Sequence, residues 1–90
     1  MEHHHSKVYQ DVLDRLARVE GHVRAVRRMW EEGKPCPALL TQIAAVRAAL
    51  DQVGRIVLES HIEECVVSAV EEGRGKETIE ELKEALNRFI

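Results

Sequence analysis

Two cysteines and one histidine are the side chains best suited to chemistry in this chain. His61 and Cys65 stand four residues apart in SHIEECVV, a segment predicted to be helical, so both side chains leave the same face of the helix. Cys36, the only other cysteine, lies upstream in GKPCP, where a second helix is predicted to begin. Two soft thiolates and an imidazole suit Cu(I) or Zn(II) and bind Mg²⁺ or Ca²⁺ poorly.

The separation of these residues predicts a site shared by two subunits. If residues 37–70 form one helix, Cys36 and His61 are 25 residues apart, or about 37 Å at about 1.5 Å per residue. One metal ion cannot join them within a chain. The same distance forbids a disulfide between Cys36 and Cys65 of one chain, unless the helix breaks. Two such helices packed antiparallel would place Cys36 of one copy beside His61 and Cys65 of the other. The two-fold axis would then pass near Leu50 and create two identical sites.

The composition predicts a single helical domain over residues 1–90, with residues 1–5 as a disordered, histidine-containing N-terminus. Hydrophobic residues make up 44% of the chain but aromatic residues only 3%, so the core must be aliphatic. Two prolines and five glycines leave the chain free to form helices. No apolar run approaches the ~18 residues that span a membrane, and no secretory signal is visible. With two cysteines and no disulfide framework, the cytoplasm is the expected compartment.

The net charge of −3 is unevenly distributed. Residues 1–55 carry 9 Lys and Arg and 7 Asp and Glu, a net charge of +2 (9 − 7). Residues 56–90 carry 4 Lys and Arg and 9 Asp and Glu, a net charge of −5 (4 − 9). Most of the basic side chains belong to the first predicted helix: Lys7, Arg15, Arg18, Arg24, Arg27 and Arg28. Such a stripe could hold a phosphate backbone, although a solvated helix face is the simpler interpretation.

Apolar residues spaced by three and four predict two long helices that pack along a common seam. The first helix covers residues 6–32, with Gly33 as its left-handed C-cap. Its seam residues are Tyr9, Val12, Leu16, Val19, Val23, Val26 and Trp30. The second helix begins with Pro37 as its first residue, and its seam residues are Leu39, Ile43, Val46, Leu50, Val53 and Val57. Two further steps of four reach His61 and Cys65, so the proposed ligands lie on the packing seam.

Gly73 and Gly75 are predicted to end the second helix. A short third helix follows, with Ile79, Leu82, Leu86 and Phe89 on one side. Two long helices and one short helix would leave long apolar stripes in water if the chain remained alone. We therefore expect an all-α, three-helix chain that dimerises into an antiparallel four-helix bundle, and a dimer of dimers is possible.

Three segments of the chain resemble the copper-sensitive operon repressor (CsoR) family: RLARVEGHVRAVRRMWEEGKPC, LLTQIAAVRAALDQVGRIVLESHIEECV and IEELKEAL. The resemblance covers residues 13–86. The family consists of all-α, dimer-of-dimers transcriptional repressors of metal-responsive and thiol-responsive operons. Its copper sensors carry a cysteine followed by His-x-x-x-Cys, which this chain matches at Cys36, His61 and Cys65. The resemblance therefore implies a repressor that binds operator DNA in the apo form and releases it on binding Cu(I).

The resemblance also implies roles for other residues. Glu81 matches a glutamate that receives the other ring N–H of the ligand histidine in the copper sensors. Pro35 replaces the tyrosine that precedes the first cysteine in those sensors, a departure that bears on how copper binding affects DNA release. Arg15 and Arg55 match the positions that contact DNA, and Arg18 lies beside Arg15 one turn on.

Other functions remain open at this point. A thiol-redox or persulfide sensor would use Cys36 and Cys65 without needing His61. A nickel, cobalt or zinc sensor of the same family could recruit the N-terminal histidines, which are His3, His4 and His5. A structural zinc bundle would usually supply four ligands, and only three are evident. An enzyme is not expected, because nothing in the pattern forms an oxyanion hole or a substrate cleft.

Overall fold

The computed structural model describes residues 7–89, and this part of the chain is helical with short turns. In chain order the elements are α1 (Lys7–Glu31), α2 (Cys36–His61), a π-helical turn (Ile62–Val66), α3 (Val67–Glu71) and α4 (Gly75–Phe89). The prediction of an all-α chain with two long helices and a short last one is confirmed. The predicted second helix corresponds to α2, the π-turn and α3 together. The predicted N-terminus at residues 1–5 lies outside the described residues.

A glycine in the left-handed conformation ends α1 as the sequence predicts. Gly33 has a φ of 70°, which costs a glycine little because it has no Cβ. The Gly33 N–H donates to the Trp30 carbonyl at 3.1 Å and the Lys34 N–H donates to the Met29 carbonyl at 3.0 Å. This pair of bonds is the Schellman motif, which satisfies carbonyls that the helix end leaves open.

The second helix begins one residue earlier than predicted. Pro35 is its N-cap, with φ −58° and ψ 143°, and the Pro35 carbonyl accepts the N–H groups of Ala38 and Leu39 at 3.0 and 3.2 Å. Cys36 is therefore the first helical residue and Pro37 the second. Both lack a helical partner for their backbone N at this end, so proline is tolerated there. The first turn thus fixes the Cys36 backbone.

The α1–α2 hairpin leaves much of its apolar seam exposed. Val19 of α1 and Leu39 and Val53 of α2 are buried within the hairpin. Six other seam residues remain 36–74% exposed; we call this set the exposed seam, and it comprises Leu16, Val23, Trp30, Ile43, Leu50 and Val57. Apolar patches of this length usually mark a contact surface.

The described residues form an elongated, thin molecule. Its principal extents are 55 × 29 × 14 Å. The four-helix bundle stays a prediction, which the exposed seam supports. Within residues 7–89, no helix is both long and apolar enough to cross a membrane.

The last helix turns back along α2. Gly75 opens α4 rather than ending the second helix, and its bare Cα lies close to Val70, where a Cβ would come within 2.8 Å of a Val70 methyl group. At the far end of α4, the Phe89 ring lies directly on Gly54. Gly75 thus allows α4 to begin close to α3, and Gly54 leaves room for the Phe89 ring on α2.

Candidate metal centre and basic residues

His61 and Cys65 lie together where α2 gives way to the π-turn. Their Nδ1 and Sγ atoms are 2.9 Å apart, a hydrogen-bonding distance whose donor depends on the imidazole tautomer. Both residues are half-buried. Because these two donor atoms converge within one helical turn, a single ion could contact both. Wide π-turns inside α-helices occur frequently at functional sites.

Cys36 lies at the opposite end of α2 and is exposed. Cys36 and His61 are 25 residues apart, which corresponds to about 37 Å of helix. Among residues 7–89, no group of three or more His, Cys, Asp or Glu side chains is placed to hold a metal ion. One chain therefore brings together two of the three predicted ligands, and the third must come from another copy if the site is to form.

Cys65 also borders an acidic cavity between the π-turn, α3 and α4. The glutamates that line it with Cys65 are Glu64, Glu71, Glu72 and Glu81. Arg74, in the α3–α4 turn, also lines the cavity. Its guanidinium hydrogen-bonds to Glu72 and holds the pKa of that carboxyl below its usual value. Glu81 thus shares a cavity with Cys65, and its predicted hydrogen bond to His61 stays a prediction. The carboxylates give this end of the helix a negative potential, which favours cations.

Comparison with known proteins decides the family. The model of the metal-sensitive transcriptional repressor family matches residues 9–88. The chain belongs to this family. It is 37% identical over 89 residues to the copper-sensing transcriptional repressor CsoR of Bacillus subtilis (strain 168), covering 99% of this chain and 88% of that protein. The resemblance to the CsoR family that the sequence motifs indicate is confirmed.

Two solved structures of metal-sensing regulators share the fold. The crystal structure of the copper-sensing repressor CsoR with Cu(I) from Geobacillus thermodenitrificans NG80-2 matches with a TM-score of 0.90 and 38% identity, covering 99% of this chain and 93% of that one. The nickel-responsive transcriptional regulator InrS matches with a TM-score of 0.76 and 48% identity, covering 98% and 100%. Proteins named for copper and for nickel therefore both resemble this repressor.

The arginines predicted to contact DNA fall into two places in the repressor chain. Arg15 and Arg18 line one cavity between α1 and α2, together with His22. The Arg15 Nε donates to the Asp11 carboxylate at 3.0 Å. This i,i+4 pair is part-buried, and pairs of this kind contribute only a few tenths of a kcal/mol, about 0.3–0.5. Arg55 lies elsewhere, in a cavity between α2 and α4. The structure brings Arg15 and Arg18 together and leaves Arg55 apart within one chain.

Sequence reasoning missed two features near this repressor's site. The π-turn at Ile62–Val66 interrupts a segment without glycine or proline, so nothing in its residue types indicated a change of helical pitch. The contact of Phe89 with Gly54 was also missed, although a signal existed. A glycine inside a helix costs about 1 kcal/mol relative to alanine, and such a cost is most easily explained by close packing at that position.

Proposed function

We propose that this protein is a Cu(I)-responsive transcriptional repressor whose metal site lies between two copies of the chain. Cys36 of one copy and His61 and Cys65 of the other would hold the ion. The observation that carries the proposal is the 2.9 Å approach of His61 Nδ1 to Cys65 Sγ, at the opposite end of α2 from an exposed Cys36. Family membership supports the role in repression, and the copper-sensing relatives support the choice of ion.

The exposed seam supplies the contact that the site requires. Leu50 lies midway between Cys36 and Cys65 along the helical rod and is 44% exposed. An antiparallel pair of α2 helices crossing at Leu50 would cover the exposed seam of both copies. The same crossing would bring each Cys36 to the His61 and Cys65 of the other copy. Burial of the seam and completion of the site therefore follow from one arrangement.

The three side chains fit Cu(I) by their chemistry. Cu(I) favours soft thiolate donors, whereas structural zinc sites usually have four protein ligands. When bound, the ion would supply bonds that tie the first turn of α2 in one copy to the last turn in the other. Glu81 would orient the His61 ring by accepting its second N–H, the usual role of an outer partner to a ligand histidine.

In the metal-free protein, three arginines would bind operator DNA and so repress transcription. Arg15, Arg18 and Arg55 would contact operator phosphates and base edges. Joining Cys36 to His61 and Cys65 across the dimer would favour an arrangement of helices in which these arginines bind DNA less well. Metal binding would then lower the affinity for DNA, and DNA binding would lower the affinity for metal by the same factor, because the two ligands bind best to different arrangements of the helices.

A nickel-responsive repressor is the second candidate. The observation that favours it is the 48% identity to the nickel-responsive regulator InrS. The resemblance to nickel and cobalt sensors also gives a possible role to His3, His4 and His5, since those sensors add an N-terminal histidine. The pattern of Cys36, His61 and Cys65 counts against this candidate, because the resemblance assigns that pattern to the copper sensors.

Metal-dependent DNA release distinguishes the two candidates. The apo protein is titrated anaerobically onto fluorescent promoter DNA taken from upstream of its own gene, alone and with Cu(I), Ni(II) or Zn(II). Cu(I) is expected to weaken DNA binding by about 5- to 150-fold, the usual range of allosteric coupling. Release by Ni(II) in place of Cu(I) would favour the second candidate. DNA affinity that no metal changes would contradict both.

Replacing Arg55 by alanine is expected to weaken DNA binding while leaving Cu(I) affinity intact. The slope of log K against log salt should fall by about 0.9 for each phosphate that the variant no longer neutralises. Fluorescence anisotropy over a salt series measures both quantities. Arg47→Ala is the matched control, since Arg47 is an exposed arginine on the same helix. Equal loss of Cu(I) binding in Arg55→Ala would count against separate roles for the two sites.

Replacing Glu81 by alanine is expected to leave Cu(I) bound but to reduce the release of DNA. The physical reason is that the His61 ring would lose the partner that fixes its orientation, and such losses cost about 10- to 100-fold in affinity or activity. DNA affinity is measured with and without saturating Cu(I). Glu80→Ala, an exposed neighbour, serves as the control. Normal DNA release in Glu81→Ala would remove Glu81 from the mechanism.

A further inference from the structure

The Phe89 ring lies against the backbone of α2 at Gly54. Two ring atoms occupy the place that a Cβ on residue 54 would take. Any larger residue at position 54 would therefore displace the ring. None of the α4 side chains is fully buried, so α4 has few other contacts that fix its position.

The same α4 side chains border both halves of the proposed regulatory system. One apolar cavity is lined by Leu58, His61, Leu86 and Phe89, among others. A neighbouring cavity is lined by Leu58, Leu86, Phe89 and Arg55. Phe89 and Leu86 therefore touch the surroundings of a proposed metal ligand on one side and of a proposed DNA contact on the other.

We propose that Phe89, seated on Gly54, is a positioning residue that couples His61 to Arg55. The proposal rests on the function proposed above. A change in the position of the His61 ring alters the cavity that the ring shares with Phe89 and Leu86. Because α4 has no buried side chain to hold it, the helix shifts as a unit, and the second cavity changes with the first. Arg55 then moves relative to the surface that binds DNA.

The shape of Phe89 suits this role. An aromatic ring is rigid, so it transmits a displacement that a flexible side chain would absorb. Gly54 provides a single seat for the ring, which gives α4 two distinguishable arrangements, with the ring seated or displaced. Coupling between distant sites needs an element of this kind, whose equilibrium both sites can bias.

The test compares DNA affinity with and without saturating Cu(I) in the full-length protein and its variants. The wild-type ratio is expected to be about 5 to 150. Phe89→Ala removes the ring, and Gly54→Ala displaces it from the other side; both should bring the ratio to within about twofold of one. Cu(I) affinity and apo DNA binding should be retained in both. The matched control is Ile79→Ala, since Ile79 is an apolar α4 residue that is 43% exposed, against 45% for Phe89.

The two substitutions separate coupling from stability. Phe89→Ala removes apolar contacts and should lower the melting temperature, whereas Gly54→Ala adds a better helix former. The proposal is supported if Cu(I) no longer changes DNA affinity in either variant while the two variants differ in melting temperature. A wild-type ratio in both variants would overturn the role of Phe89 and leave the proposed function standing. If Cu(I) does not change the DNA affinity of the wild-type protein, both the proposed function and this coupling are overturned.

Discussion

Serine in place of Cys36 or Cys65 is expected to weaken Cu(I) binding by more than about 100-fold, since the loss of even an outer partner of a metal ligand costs about 10- to 100-fold. Each substitution removes one of two thiolates, the donors that Cu(I) favours most. The fold should survive both changes. Cys36 is exposed and Cys65 is only half-buried, so neither thiol is central to the core.

The measurement is an anaerobic titration of Cu(I) against a chromophoric chelator of high affinity. Ser68→Ala is the matched control, because Ser68 lines the same cavity as Cys65 but is not a proposed ligand. Thermal unfolding of each variant checks that the fold is retained. Wild-type Cu(I) affinity in Cys36→Ser would show that Cys36 is not a ligand and would favour a site confined to the His61 end of the chain.

A glutamate at Leu50 is expected to break the dimer. The two-fold axis of the proposed bundle passes near Leu50, so one substitution removes two leucines and places two carboxylates face to face. Burying a fully exposed leucine contributes about 1.5–3 kcal/mol, and Leu50 is 44% exposed in the single chain. Losing both leucines therefore costs about 1.3–2.6 kcal/mol and raises the dimer dissociation constant by about 10- to 70-fold at 1.4 kcal/mol per factor of ten. Repulsion between the two carboxylates adds to this.

Sedimentation velocity over a range of protein concentrations measures the change. Gln52→Glu is the control, because it adds the same carboxylate to an exposed position about 200° round the helix from Leu50. Leu50→Glu should also lose tight Cu(I) binding, since the separated chains no longer combine Cys36 with His61 and Cys65. A stable dimer that carries Glu at position 50 would place the interface elsewhere.

The sequence predicted the helices well because their pattern is local. The spacing of apolar residues by three and four locates α1, and the continuous run of α2, the π-turn and α3, to within one or two residues of their observed bounds. Gly33 marks the end of α1 through its left-handed φ of 70°. These signals act within a few residues of one another, so they survive in any tertiary context.

The division of the seam could not be predicted from the same pattern. Val19 faces the hairpin whereas Val23 is 48% exposed, although both continue one regular series. Which seam residues face the neighbouring helix depends on the rotation of α1 against α2. That rotation is a tertiary property set by all of the contacts together.

The candidate site shows the same limit. The spacing of His61 and Cys65 predicted that they share a face, and their 2.9 Å separation is consistent with this. The π-turn that contains Cys65 and the seating of Phe89 on Gly54 were not predicted. The seating of Phe89 is a contact between residues far apart in sequence, and local patterns carry no signal for such a contact.

The most direct test of a site divided between two copies uses mixed dimers. Chains carrying Cys36→Ser and chains carrying Cys65→Ser are co-expressed with different tags, the mixed species is purified, and its tightly bound Cu(I) is counted. In a mixed dimer, Cys36 of the second chain can still meet His61 and Cys65 of the first, while the other site lacks both thiolates. We predict one tightly bound Cu(I) per mixed dimer and none in either parent. No tight Cu(I) in a mixed dimer that is folded and stable would contradict the intersubunit site.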